Sequence, residues 1–123
     1  MEVTPGEARY LLTIFDIARA GVRISQASLA RRLGVSGPTA LEMVRRLRQL
    51  GLLKDESLEL TSAGTSAALG LGRRRQAARV LVLDVLGLEE GEGEGEARRL
   101  APAVSSTLAR HLMRWRGSPK SPR

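Results

Sequence analysis

Two short helical segments separated by a three-residue turn constrain the fold of this chain more than any other feature. Ser25 can cap a first helix that ends at Gly34, because a hydroxyl accepts from first-turn N–H groups and glycine tolerates the left-handed backbone of a helix end. Ser36 can cap a second helix from Pro38 to Leu50. The residues from Gly34 to Ser36 therefore join two helices as in a helix-turn-helix.

A small hairpin is predicted directly after this pair of helices. The apolar pair Leu52-Leu53 is followed by a polar tip at residues 55–57 and then by residues 58–60, where leucine alternates with glutamate as in a half-buried strand. A hairpin in this position is the wing of a winged helix-turn-helix. Residues 1–61 are therefore predicted to form a winged helix-turn-helix DNA-binding domain, whose first helix runs from Pro5 to Ala20.

The remaining chain predicts a helical dimerisation domain at residues 62–116, so that the fold class is mainly α. Thr61 can cap a fourth helix that continues to Val85, although Gly70 and Gly72 predict a kink or break near Leu71. The alternation of glutamate and glycine at residues 89–96 predicts a flexible acidic linker, and residues 117–123 predict a disordered tail.

A last helix carries one apolar stripe, whose members recur at intervals of three or four residues: Leu100, Val104, Leu108, Leu112 and Trp115. Pro102 should begin or bend that helix, because proline removes a backbone donor. A chain this short buries such a stripe only in part on its own. The stripe therefore predicts a homodimer.

The net charge favours a polyanionic partner. Twenty lysines and arginines against thirteen acidic residues give +7, and all but two of these cations are arginines. Arginine suits bidentate contacts with phosphate and guanine. Because a GC-rich coding genome would produce the same excess, the positions of the arginines, rather than their number, must distinguish DNA contact from codon bias. Double-stranded DNA is the predicted partner.

Several other classes of protein are disfavoured. The chain has no cysteine, which removes disulfides, thiolate nucleophiles and thiolate metal sites. It has no apolar run of membrane-spanning length, and residues 1–7 lack the features of a signal peptide, so we expect a cytoplasmic protein. No constellation of nucleophile, base and metal ligands is visible, so we do not expect an enzyme.

The second helix of the pair is predicted to be the recognition helix. Its apolar residues from Ala40 to Leu50 recur at helical spacing and would be buried, which leaves a polar face to enter a major groove: Thr39, Glu42, Arg45, Arg46 and Gln49. At its N-terminus Ser36 and Thr39 offer hydroxyls and backbone N–H groups to a phosphate, and Pro38 offers an apolar surface to a thymine methyl. Alternatively, Ser36 is only a cap and Pro38 only a helix starter.

Three further cations suit the DNA backbone rather than the base edges. Arg31 and Arg32 lie near the end of the first helix of the pair, and Lys54 lies on the wing. The alternative for each is a solvated, charged face. As a cluster they favour contacts with phosphates.

Six segments together resemble the diphtheria-toxin-repressor and manganese-transport-regulator family of bacterial transcription regulators. They are YLLTIF at residues 10–15, SGPT at 36–39, the run 44–47, Gly51-Leu52, LTSAG at 60–64 and LVLDVLGL at 81–88. The resemblance covers about residues 7–116 and implies a dimeric repressor on an inverted-repeat operator. It also implies DNA contacts at Ser36, Pro38, Thr39 and Glu42, although the family commonly has a glutamine-like residue at the last of these.

The resemblance further implies an iron or manganese site, but the residues at its positions are unsuited to a metal ion. Those positions fall here on Arg9, Arg75, Arg79, Glu94, Arg98, Ala101 and Pro102. A guanidinium is a permanent cation without a lone pair, so among these residues only Glu94 could bind a metal. His111 has no second ligand at suitable spacing and is better explained as an exposed helix residue. We therefore expect no cofactor, with divalent manganese or iron as the disfavoured alternative.

Two hypotheses address what these arginines do, and a third concerns the class of the protein. The arginines could pair with Glu7, Asp16, Asp84 or a glutamate of the linker and so replace the metal, giving constitutive DNA binding. They could instead form an anion pocket, which would make the protein a sensor of an anionic metabolite. Finally, the winged helix could be a protein-interaction adaptor, which would show at most weak, sequence-blind DNA binding.

Overall fold

The computed structural model describes residues 3–117, and helices account for most of this range. Six α-helices follow one another, with a π-helix after the fourth and a 3-10 turn after the fifth. The α-helices are α1 (Pro5–Arg19), α2 (Gln26–Leu33), α3 (Gly37–Gln49), α4 (Ser62–Arg79), α5 (Glu90–Leu100) and α6 (Ser106–Gly117). The π-helix spans Val80–Val85 and the 3-10 turn Ala101–Ala103. No helix within residues 3–117 is both long and apolar enough to cross a membrane.

The first three helices begin and end within one residue of the positions that the sequence predicts. Thr4, Ser25 and Ser36 cap α1, α2 and α3 through their hydroxyls. Gly34 follows α2 with a φ of 68°, the left-handed conformation that glycine adopts without steric cost. These boundaries are predictable because each depends on one or two neighbouring residues.

The chain divides into two units, one up to Leu69 and one from Gly70. In the first unit α2 and α1 both pack on α3. Their apolar faces form a core whose fully buried large residues include Leu11, Ile14, Leu29, Val44, Leu47, Leu52 and Leu53. Burial of apolar faces at helical spacing is the main stabilising term for such a small unit.

The wing is shorter than predicted. A hairpin forms, but within residues 3–117 its ladder is reduced to an isolated antiparallel bridge between Leu53 and Leu60. The Lys54 N–H donates to the carbonyl of Glu59 at 2.9 Å, and the Thr61 N–H donates to that of Leu52 at 3.1 Å. A ladder this short needs support from outside the hairpin.

The predicted break near Leu71 is wrong, because α4 is continuous from Ser62 to Arg79. Each interior glycine costs a helix only about 1 kcal/mol. Ala68 before the glycines and Ala77 and Ala78 after them are completely buried, so packing on both sides offsets that cost. The boundary between the two units nevertheless falls at Gly70.

The predicted flexible linker at residues 89–96 is also wrong, because this segment is most of α5. Gly93 is buried, and a Cβ at this position would collide with the Leu83 side chain, so glycine here permits close packing. Ala97 is buried in the same core as Val82. The early glutamates of α5 also interact favourably with the positive end of the helix.

The single last helix predicted around Leu100 is wrong as well. α5 ends at Leu100, Pro102 lies in the 3-10 turn, and Val104 is extended before α6 starts at Ser106. The predicted stripe is consequently divided. Val104 is buried and Leu100 and Leu112 pack against the core, whereas Leu108 is 44% and Trp115 38% exposed. The expected disordered tail lies, apart from Gly117 at the end of α6, outside the described residues.

Candidate nucleic-acid interface

The connection between α2 and α3 is held by local hydrogen bonds. The Val35 N–H donates to the Ala30 carbonyl at 3.0 Å, which closes the end of α2. The Ser36 hydroxyl accepts from the Thr39 N–H at 3.2 Å and donates to the Thr39 hydroxyl at 2.8 Å. The turn and the start of α3 therefore form one ordered unit.

α3 separates a buried stripe from an exposed polar face. Ala40, Val44 and Leu47 have no exposed surface, whereas Leu50, which follows the helix as its cap, is half-buried. The polar residues predicted for groove entry are all exposed: Thr39, Glu42, Arg45, Arg46 and Gln49. Carboxylate, amide, hydroxyl and guanidinium groups on one helix face can read donors and acceptors on base edges.

The start of α3 offers fewer backbone donors than the sequence predicts. Pro38 has no N–H, and the N–H of Thr39 is already bonded to Ser36. The N–H of Gly37, also in the first turn, makes no hydrogen bond within residues 3–117 and remains available. The exposed hydroxyls of Ser36 and Thr39 remain available to a phosphate oxygen.

Arg46 is held in place by a buried carboxylate on α1. Its Nε donates to Oε2 of Glu7, whose side chain is 3% exposed, while the Arg46 side chain remains 59% exposed. The Thr4 N–H donates to the other carboxylate oxygen at 2.9 Å. The Arg46 hydrogen bond, aided by that of Thr4, lowers the pKa of Glu7 even though burial opposes this. Glu7, predicted as a partner of the metal-position arginines, instead orients the recognition helix.

Arg48 supports the wing, a role that sequence reasoning missed. Its Nε donates to the Lys54 carbonyl at 2.8 Å, and its terminal nitrogen donates to the Ser57 carbonyl at 3.0 Å. One guanidinium on α3 thus holds both arms of the hairpin. No pattern in the sequence identifies backbone carbonyl groups as the partners of Arg48.

The cations predicted to contact phosphates are exposed. Arg31 and Arg32 lie in the last turn of α2, where they also interact favourably with the helix dipole. Lys54 is exposed on the wing, and its ammonium lies 3.2 Å from the Glu59 carboxylate. Exposed pairs of this kind are weak, so Lys54 can exchange its partner for a phosphate at little cost.

The positions at which the resemblance places metal ligands are now occupied by internal contacts and exposed cations. Arg9 donates to the Leu33 carbonyl at 2.8 Å and so satisfies the end of α2. In the second unit, Arg79 Nε lies 2.6 Å from Glu94 Oε1, an ionic contact without hydrogen-bond alignment. Arg75 and Ala101 are half-buried, whereas Arg98 and Pro102 are exposed.

The donor set of these positions does not fit a divalent cation. Glu94, which could bind a metal, faces the cation of Arg79 instead. Within residues 3–115 no group of three or more histidine, cysteine, aspartate or glutamate side chains could hold a metal ion. His111 is exposed, with Nδ1 2.9 Å from the Thr107 carbonyl. Arginine cannot donate a lone pair, so the chemistry of a metal ion is not supported here.

The turn, the exposed face of α3 and the hairpin that Arg48 supports define a winged helix-turn-helix DNA-binding domain. Residues 3–57 match the family described as iron dependent repressor, N-terminal DNA binding domain. The match covers the helix-turn-helix and the first part of the hairpin.

Curated relatives agree with this assignment. The iron-dependent repressor IdeR of Mycobacterium tuberculosis is 37% identical over 113 residues, which cover 89% of this chain and 49% of that protein. The diphtheria toxin repressor of Corynebacterium diphtheriae is 33% identical over 108 residues, covering 85% of this chain and 48% of that protein. The chain thus spans about half the length of the curated relatives it matches.

Solved structures of similar fold extend the likeness beyond residue 57. The manganese regulator SloR aligns with a TM-score of 0.77 at 30% identity, over 96% of this chain and 56% of that chain. A manganese-dependent transcriptional repressor in complex with manganese aligns with a TM-score of 0.78 at 32% identity, over 92% and 53% of the respective chains. The fold is therefore that of metal-dependent regulators, whereas this chain's residues at the metal positions are mostly arginines.

Proposed function

We propose that this chain is a sequence-specific DNA-binding transcription regulator of the cytoplasm, and that it acts as a dimeric repressor without a metal switch. The observation that carries the proposal is the exposed polar face of α3, at the centre of a helix-turn-helix within the family match at residues 3–57. Nothing in the described residues forms a catalytic constellation, and the proposal includes no enzymatic activity.

In this proposal α3 enters the major groove and the rest of the domain contacts the DNA backbone. Glu42, Arg45 and Arg46 would contact base edges, with carboxylate to cytosine and guanidinium to guanine as the suitable pairings. Thr39 and Pro38 would meet a thymine methyl or a phosphate at the start of the helix. The exposed hydroxyl of Ser36 and the cations Arg31, Arg32 and Lys54 would contact phosphates.

Dimerisation would use the second unit, because large apolar side chains are exposed there. Leu86 is 62%, Leu108 44% and Val85 43% exposed, although each is a residue type that is usually buried. A second copy could cover them in an isologous interface. Two recognition helices related by a twofold axis would require a near-palindromic operator.

Metal independence is supported by the charge of the metal positions. Arg9 and Arg79 already have partners, and a divalent cation near Arg75 and Arg98 would meet two permanent positive charges. The Arg79–Glu94 contact supports the hypothesis that an arginine–glutamate pair takes the place of the ion. We therefore expect operator binding that is constitutive with respect to manganese and iron.

Selection of bound sequences from a random duplex pool tests the proposal with the full chain. We expect one near-palindromic motif, enriched equally with chelator and with added manganese. The absence of any enriched motif would contradict sequence-specific binding, whereas a motif found only with manganese would contradict metal independence alone.

A pair of glutamate variants connects the motif to α3. Glu42→Ala should relax the preference at about one base-pair position per half-site, since a mismatched contact is worth about 1–3 kcal/mol. Glu90→Ala removes an exposed glutamate from α5 and should leave the motif unchanged. Equal motifs for Glu42→Ala and the wild type would exclude Glu42 from contact with the bases.

A further inference from the structure

An open groove in the first unit lies outside the face of α3. It has a volume of about 620 Å³, within the range of roughly 300–1,000 Å³ typical of small-molecule sites. Its walls are the end of α1 with the following loop, from Phe15 to Ile24, and the second arm of the wing, from Ser57 to Leu60, with Thr65 of α4. None of the DNA contacts proposed above uses these residues.

The floor of the groove is apolar. Phe15, Ile24, Leu58 and Leu60 are half-buried, so each presents apolar surface to the groove while remaining anchored in the fold. Val22 adds a fifth apolar side chain that is 59% exposed. Covering this surface would remove apolar area from water, which favours an occupant with an apolar body.

The charge of the groove is positive. Arg19 and Arg23 both line it, and within the described residues neither is paired with a carboxylate. Arg19 lies over the Phe15 ring at 5.5 Å, which fixes one cation beside the apolar floor. The single acidic residue of the lining, Glu59, is already compensated by Lys54 at 3.2 Å. The groove therefore complements an anion.

We propose that this groove binds a small amphipathic carboxylate, whose apolar body covers the floor and whose carboxylate pairs with Arg19 and Arg23. A planar guanidinium fits a carboxylate bidentately, and such charge-assisted hydrogen bonds add orientation to apolar burial. Binding to the groove does not depend on the DNA-binding function.

The occupant would also contact the wing, and this part of the proposal rests on the proposed function. Ser57 lines the groove, and its carbonyl accepts from Arg48 of α3 at 3.0 Å. The arm from Ser57 to Leu60 is thus shared between the groove and the wing. A ligand whose affinity differs between the free and the DNA-bound wing must change operator affinity by the same factor.

Amide NMR of the full chain, without DNA, tests the binding step with phenylbutyrate as the probe. We expect saturable shifts grouped at residues 15–24 and 57–65, and affinity about tenfold lower for uncharged phenylbutanol, the effect of losing charge-assisted hydrogen bonds. No saturable shifts, or shifts centred on other residues, would overturn the proposal. Equal affinity for the alcohol would overturn the role of the arginines.

Matched variants separate the groove from general electrostatics. Arg19→Gln combined with Arg23→Gln should weaken phenylbutyrate binding about tenfold or more. Val22→Asp should also weaken it, because the change removes apolar contact area and places a negative charge beside the carboxylate of the probe. Arg110→Gln, an exposed arginine of α6, should leave binding unchanged. Similar losses in Arg110→Gln and the double variant would overturn the site. Operator affinity that saturating phenylbutyrate leaves unchanged would overturn only the coupling to the wing.

Discussion

Glu7 is a buried charge on which the position of the recognition helix depends. It receives hydrogen bonds from Arg46 and from the Thr4 N–H, and its residue is 2% exposed. Glu7→Gln keeps the size of the side chain but removes the charge. We expect the free energy of unfolding to fall by about 1–2 kcal/mol, because hydrogen bonds to charged groups are worth somewhat more than neutral ones and Arg46 is partly solvated. Urea denaturation at neutral pH measures this difference.

The same carboxylate gives stability a definite dependence on pH. Folding lowers the pKa of Glu7 from its ordinary value of 4.5, so the ionised group favours the folded state. This contribution is fully present above pH 4.5 and is lost as the pH falls through the lower pKa of the folded protein. The stability difference between wild type and Glu7→Gln should therefore shrink on acidification below pH 4.5. A difference that stays constant down to pH 2 would contradict the assignment.

Arg46 and Arg31 should behave differently when removed. Arg46→Ala should reduce the preference for the operator over random duplex, because Arg46 is proposed to contact bases, and it should also lower stability through the loss of its bond to Glu7. Arg31→Ala should weaken binding to both duplexes alike, as expected for a phosphate contact. Competition binding at fixed salt distinguishes them, and equal effects of both changes on both duplexes would contradict the division.

The limits of sequence reasoning are clearest for these side chains. The exposure of Glu42, Arg45 and Arg46 follows from helical periodicity alone. The Glu7–Arg46 bond joins residues 39 positions apart, and no local pattern predicts it. Arg48 was missed for a related reason, since its partners are backbone carbonyls, which every residue possesses.

At the scale of elements, Gly64 determines how closely α4 approaches the wing. A Cβ at Gly64 would collide with the Leu52 carbonyl oxygen, a backbone atom that cannot move aside as a side chain can. Gly64→Ala should lower the free energy of unfolding by about 1–3 kcal/mol, the usual cost of overpacking. Thermal and urea denaturation measure the loss.

Gly72 provides the matched control in the same helix. A Cβ at Gly72 meets nothing within 4 Å, and its backbone is helical. Gly72→Ala should therefore raise the free energy of unfolding by about 0.5–1 kcal/mol, since alanine loses less backbone entropy in a helix. The two variants should shift stability in opposite directions, and a loss of equal size in both would show that α4 is limited by something other than the contact at Gly64.

Elements whose limits depend on local caps were predicted well, and those whose limits depend on tertiary contacts were not. Ser25, Ser36 and Gly34 act on adjacent residues, so α2 and α3 could be drawn from the sequence. α5 contains three glycines between its glutamates and resembles a linker in isolation. Its buried residues Gly93 and Ala97 pack within the second unit, and these contacts exist only in the folded chain.

At the scale of the whole molecule, the exposed apolar residues of the second unit bear on how two copies assemble. The predicted dimer surface from Leu100 to Trp115 is only partly available, because Val104 is buried and Leu112 packs within its own unit. Leu108 of that stripe remains exposed, as does Leu86 beyond it. The proposed dimer surface therefore overlaps only part of the stripe that the sequence predicts.

Leu108→Glu tests this surface because it places a charge on an apolar residue that is already 44% exposed. If a second copy covers Leu108, the buried charge should shift the chain from dimer to monomer in sedimentation experiments, while the monomer keeps its helical content. Arg110→Glu, also exposed on α6, introduces the same charge outside the apolar set and should leave the dimer intact.

DNA binding by Leu108→Glu should then depend on the form of the operator. A dimer engages two half-sites at once, so a monomer loses the effective concentration that links the second contact to the first. Affinity for the complete near-palindrome should fall at least about 100-fold, whereas affinity for a single half-site should change little. Equal losses on both duplexes would indicate damage to the DNA-binding unit, and a Leu108→Glu protein that remains dimeric would exclude this surface as the interface.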